Sequence, residues 1–196
     1  MKRIVSRRAF LQGSAAAAAG GLLVSKTIRL EAQPLVPRVV APSDRVRFGI
    51  IGIGMQGSGL LRDAISISGM ECVGAADLYD GRHTLAREIT GNASLPASRH
   101  YQELLDRKDI DCIVAAVPDH WHRRVVVDAC NAGKDIYCEK PMSHNVADGL
   151  AMVEAAQKNK RIVQIGSQRV SSELCAKARE LYSGGAIGDI EMVELT

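Results

Sequence analysis

Aromatic residues are scarce in this chain: Phe, Tyr and Trp together make up 4% of 196 residues, with one Trp. Single-stranded nucleic acid is bound on successive aromatic faces, so the composition argues against that partner. Long apolar runs are also missing. The N-terminal run from Gly13 to Ser25 is about 13 residues, against about 20 needed to cross a bilayer, so no stable transmembrane helix is predicted. The five cysteines are odd in number and match no metal or redox spacing, and they read as small buried hydrophobes. Excess charge of one sign is confined to one end. Lys2, Arg3, Arg7, Arg8, Lys26 and Arg29 fall in the first 32 residues beside one acid, Glu31, and the remainder holds 19 basic and 21 acidic residues, net −2. A body so balanced has no electrostatic basis for holding a nucleic-acid backbone. What remains is 46% hydrophobic and 24% charged, an ordinary globular composition with length for one domain and a remnant.

The N-terminus reads as an address. Ser6-Arg7-Arg8-Ala9-Phe10-Leu11-Gln12 precedes the uncharged run to Ser25, the charged-then-apolar order of an export signal. The paired arginines followed by Phe-Leu resemble the twin-arginine signal, with Gln12 where that signal often has Lys. The resemblance implies a signal over residues 1–32, the twin-arginine export machinery as a partner, and a periplasmic or otherwise exported protein. That route carries folded proteins, often with a cofactor aboard. Residues 33–44, with Pro34, Pro37 and Pro42, form a stiff linker.

From Arg45 onward strand and helix patterns alternate. Val46–Ile51, Glu71–Ala76, Ile110–Val117, Ile136–Cys138 and Ile162–Ile165 are short apolar runs of the kind found in buried parallel strands. Between them the spacing predicts helices over 58–68, 82–89, 101–106, 121–131 and 146–159, with Gly133 as a stop signal. The alternation implies right-handed crossovers and an α/β fold, a doubly wound, mostly parallel sheet over residues 45–168. A helix over 171–182 and an alternating apolar and acidic strand over 190–195 would open a second α+β domain, incomplete in residues 169–196.

Gly52, Ile53, Gly54, Met55, Gln56 and Gly57 match G-x-G-x-x-G directly after the first strand and before a helix, the setting of a dinucleotide-binding loop. In such a loop Gly52 permits the turn, Gly54 admits the pyrophosphate, and Gly57 lets the helix pack on the strand. Asp77 lies twenty residues past Gly57, where a carboxylate accepts both ribose hydroxyls and repels a 2′-phosphate. NAD is therefore expected over NADP. Arg82 keeps NADP in view, since it could meet a 2′-phosphate or lie over the adenine. A related fold that binds another nucleotide, or none, fits the same spacing.

Two further segments fall at strand ends, where open parallel sheets bind ligands: Pro118-Asp119-His120-Trp121-His122 and Glu139-Lys140-Pro141. Pro141 favours an extended backbone at Lys140, so the side chain can project into the crevice, where its amine, once it has given up its charge beside a bound nicotinium cation, is a proton acceptor; the competing reading is a solvated lysine paired with Glu139. His122 and Asp119 could bond a ribose or substrate hydroxyl, or else be a packed His and a helix-start cap. His120 and His122 are two apart and lack a third ligand, so no metal is expected. Trp121 reads as core, with a shelf for the nicotinamide as the alternative.

Taken with Gly133-Lys134 and Gly166-Ser167-Gln168-Arg169, these motifs resemble the Gfo/Idh/MocA oxidoreductases in order and spacing from about Val46 onward. The resemblance implies NAD(P)-dependent oxidation or reduction of a sugar, cyclitol or related polyol. It implies Lys140 as the catalytic lysine, Asp119 and His122 at cofactor or substrate, and Pro118 and Glu139 beside the cofactor. In that family a second domain supplies most substrate contacts, and a homo-oligomer is compatible with the pattern. Two rivals stand beside this reading: an NAD-retaining glycosidase that oxidises transiently and eliminates, and a nucleotide-binding module without chemistry.

Overall fold

A computed structural model describes residue 41 and residues 44–193. The proposed signal, most of the linker and residues 194–196 lie outside these. Among the described residues six parallel strands run β1 (Val46–Ile51), β2 (Met70–Ala76), β3 (Ala97–Ser98), β4 (Cys112–Ala115), β5 (Asp135–Glu139) and β6 (Val163–Gly166), in the spatial order β3-β2-β1-β4-β5-β6. The helices are α1 (Met55–Ser66), α2 (Asp80–Thr90), α3 (Gln102–Leu105), α4 (Asp119–Asn131), α5 (Val146–Asn159) and α6 (Glu173–Ser183). Strand order reverses between β1 and β4, and this switch point opens a crevice at the strand ends.

Each face of the sheet buries its own apolar layer, as a doubly wound sheet must. Phe48, Ile50, Leu61, Ala75 and Ala86 fill one side under α1 and α2. Ile113, Ala115, Val126, Ile136, Cys138 and Met152 fill the other under α4 and α5. Lys134 is buried as well, and its Nζ donates to the carbonyls of Arg107 (2.6 Å) and Ile110 (2.8 Å), fastening the loop before β4.

Two expectations need correction, and one strand goes unanticipated. The helix expected from Ser58 starts at Met55, so the last half of the glycine motif is already its first turn. The strand expected over 190–195 is absent over its described part, Ile190–Val193, because a half-exposed strand requires a neighbour to pair with and none lies beside it among the described residues. β3 was not expected: it has two residues, too few to show a period, and is held by pairing with Ala75 and Ala76.

All five cysteines are free thiols. Burial pushes the Cys72 thiol from its ordinary 9.0 up to about 11. Burial, with Glu139 adding, pushes Cys138 up to about 12. Both stay protonated in the folded chain after the unfolded chain has begun to ionise. Their contribution is therefore fully present below pH 9.0 and is lost as pH rises through 11 to 12. At about pH 10 each thiol should cost roughly 1.4 kcal/mol of stability. Thermal unfolding across this alkaline range should accordingly flatten in the Cys72→Ala/Cys138→Ala chain, and an unchanged slope would refute the assignment.

Candidate dinucleotide site

The glycine loop is shaped by three different demands. A Cβ on Gly57 would lie 2.0 Å from the Gly52 carbonyl oxygen, and one on Gly52, whose φ is +84°, would lie 2.5 Å from the Ala116 oxygen. These two glycines are required by the packing of strand, turn and helix. A Cβ on Gly54 would meet nothing within 4 Å among the described residues. The protein itself gives no reason for glycine there, and the open space lies where a diphosphate would approach. Among the described residues no side chain caps α1, so the amides of its first turn are available to an anion.

Asp77, at the end of β2, is held at this loop. Its Oδ2 accepts the Ile53 N–H at 2.7 Å and its Oδ1 accepts the Tyr79 N–H at 3.0 Å. Next to it runs a cleft of about 390 Å³, lined by Gly52, Gly54, Asp77, Leu78, Val117, Pro118 and Trp121 among others. The size suits a small ligand. Trp121 is therefore a wall of the cleft and not core, and the Arg124 guanidinium lies 5.4 Å from its ring centroid. Arg82 does not line this cleft; it sits in the first turn of α2, with its N–H on the Tyr79 carbonyl. Arg99 does line it, but Asp80 already engages its guanidinium through two bonds of 2.8 Å. Tyr101, another lining residue, donates its hydroxyl to Asp128. Arg99 and Tyr101, from the loop after β3, and Arg124, from α4, match no spacing motif and meet only through the fold.

The β5 end forms the other side of the crevice. Lys140 is exposed, and among the described residues its ammonium has no hydrogen bond or ion pair. The pairing with Glu139 does not form: the Glu139 carboxylate instead accepts the Lys140 backbone N–H at 3.0 Å and the Gln56 side-chain amide at 2.9 Å. Met55 is exposed in the first turn of α1 and Ile53 is buried. The Lys140–Pro141 peptide is cis.

His122 is 1% exposed. Its Nδ1 faces the Pro141 carbonyl at 2.7 Å and its Nε2 the Val117 carbonyl at 2.9 Å. Its ring thus sits between the turn after β4 and the loop after β5 with a backbone carbonyl against each nitrogen, and the single N–H of either neutral tautomer donates to one of them. Asp119 is the first residue of α4, and its Oδ1 accepts the His120 N–H at 2.8 Å. Its Oδ2 meets His144 Nδ1 at 3.3 Å, and this contact holds the Asp119 carboxyl below the usual carboxylate range. No group of three metal-binding side chains occurs among the described residues.

With loop, carboxylate and cleft in place, the class is clear: residues 46–167 match the Gfo/Idh/MocA model, described as an oxidoreductase family with an NAD-binding Rossmann fold. The chain belongs to that family. It is similar to an inositol 2-dehydrogenase of Salmonella paratyphi B, 36% identical over 152 residues, covering 76% of this chain and 44% of that protein. A glycosyl hydrolase family 109 protein of a Shewanella species is 25% identical over 174 residues, 80% of this chain and 38% of that one. Among solved structures, a myo-inositol 2-dehydrogenase from Lactobacillus plantarum aligns with a TM-score of 0.68 at 26% identity, over 74% of this chain and 43% of that one. The chain thus spans less than half the length of these relatives.

Proposed function

We propose that this chain forms the dinucleotide-binding part of an exported oxidoreductase that moves a hydride between nicotinamide and a carbinol carbon of a sugar, cyclitol or related polyol. The observation that carries the reading is the open space before Gly54, bordered by uncapped helix amides and by Asp77 fixed at 2.7 Å from the loop. Asp77 would take the adenosine ribose hydroxyls, and Arg99, already occupied by Asp80, is not free for a 2′-phosphate, which favours NAD. When bound, the nicotinamide supplies the carbon that accepts or gives up the hydride. Lys140, exposed at the β5 end and unpaired among the described residues, would as the neutral amine take the hydroxyl proton on its Nζ as the C–H hydride departs, and return it from the ammonium in the reverse direction. His122 acts by holding the two strand-end turns together.

The test is incubation of the protein with NAD or NADP and a panel of cyclitols and sugars, following reduced nicotinamide. Reduction with NAD preferred is the expected result. Release of an aglycone from a glycoside with no net reduced nicotinamide would favour the glycosidase reading, which the similarity to the family 109 protein supports. Tight NAD binding with no turnover on any substrate would favour the binding module.

Export rests on Arg7-Arg8 and the apolar run after it. Replacing both with lysine should leave the protein inside the cells of a host with the twin-arginine pathway, as fractionation would show; unaltered export would refute the assignment.

A further inference from the structure

Glu139 is a carboxylate for which the chemistry above has no use, yet it is 4% exposed. A carboxylate so buried is costly unless donors meet its oxygens. Three do, each from a different part of the site. Gln56 Nε2, in the first turn of α1, donates to Oε1 at 2.9 Å, and Gln168 Nε2, just after β6, donates to the same oxygen at 3.3 Å. The backbone N–H of Lys140 donates to Oε2 at 3.0 Å. Gly166 leaves the room for this, since a Cβ there would lie 3.1 Å from Oε1 and 2.5 Å from the Tyr137 hydroxyl.

We propose that Glu139 is a positioning residue that ties the backbone carrying Lys140 to the glycine loop through Gln56. Its carboxylate is planar and rigid, so a displacement of Oε1 by Gln56 is passed to Oε2 and to the Lys140 N–H. The helix turn that receives the diphosphate then also sets the place of the Lys140 side chain, whose neutral amine takes the proton. This rests on reading Gly52 to Gly57 as a dinucleotide loop.

The experiment follows amide hydrogen exchange at Lys140 by NMR in the full chain, with and without NAD, in wild type and in Gln56→Ala/Gln168→Ala. Both glutamines are exposed, so their loss leaves no cavity. The Oε2 bond to Lys140 is untouched by the double variant, and a purely local role for Glu139 predicts wild-type exchange. The coupling predicts exchange about fivefold faster, the scale of one net hydrogen bond, and loss of the slowing that NAD produces in wild type. Wild-type exchange in the double variant, with slowing by NAD retained, would overturn the proposal. Glu139→Gln turns an acceptor into a donor against these partners and should raise Lys140 exchange as well. An NADH fluorescence titration on the same samples keeps the two readings apart: absence of binding to wild type would refute the dinucleotide loop, while the nucleotide-free exchange comparison would still uphold or overturn the coupling.

Discussion

Gly54→Ala should leave folding intact and remove nucleotide binding, whereas Gly57→Ala should damage the fold itself. The two glycines belong to one motif, but their added methyls meet opposite surroundings. At position 57 the methyl would sit 2.0 Å from the Gly52 oxygen and 2.9 Å from its carbonyl carbon, and main chain in a tight turn cannot step aside as a flexible side chain can. Separating α1 from β1 would also disturb the Leu61 and Ile50 layer beneath. A destabilisation above about 3 kcal/mol is expected, beyond ordinary overpacking. At position 54 the backbone, φ −70° and ψ −164°, is open to any residue, and the methyl touches nothing within 4 Å. Its thermal midpoint should stay within about 2 °C of wild type. The methyl would stand in the path of the diphosphate, and NAD affinity should weaken by about 30-fold or more, roughly 2 kcal/mol. Differential scanning calorimetry paired with NADH titration reads both quantities. Wild-type affinity in Gly54→Ala would show that the open space is not the diphosphate site.

Lys140→Ala carries the second large effect. Positioned proton transfer typically contributes about 10²- to 10⁴-fold, and a loss of kcat in that range is expected once a turned-over substrate is in hand. NAD affinity should change little, because Lys140 does not line the cleft beside Asp77. The thermal midpoint should also hold, since the side chain is exposed and makes no bond among the described residues. A kcat within twofold of wild type would assign the proton to another group and weaken the dehydrogenase reading of this chain.

The sequence disclosed the sheet because its longer strands are apolar enough to register without alternation, as in Phe48 to Ile51 and Ile113 to Ala115, both buried. β3 escaped because two residues, Ala97 and Ser98, carry no pattern and owe their conformation to their neighbour. The glycine spacing locates the loop and separates the packing glycines, Gly52 and Gly57, from Gly54; the close distances to Ala116 and Gly52 supply the steric cause that spacing does not carry. Trp121 by residue type fits a core position or a shelf at the ligand, and its place in the first turn of α4 puts it in the cleft wall. For His122 the residue type leaves a ligand contact and a packed ring both open, and for Glu139 the family resemblance implies a place beside the cofactor. Their polar atoms face protein groups, Val117 and Pro141 in one case and Gln56, Gln168 and Lys140 in the other. Burial of this kind is a property of the fold and leaves no trace in spacing.

The imidazole bridge between Val117 and Pro141 has a bearing on redesign. Because one ring fastens both turns, neither can be exchanged for a sequence from a relative as an independent cassette. A graft that alters the turn after β4 without keeping residue 122 and its acceptor at 141 would also shift the lysine loop, and catalytic losses would then be blamed on the transplanted residues when the fault lay in the lost fastening. Swaps made in pairs, both turns from one donor, are the ones from which substrate preference can be learned.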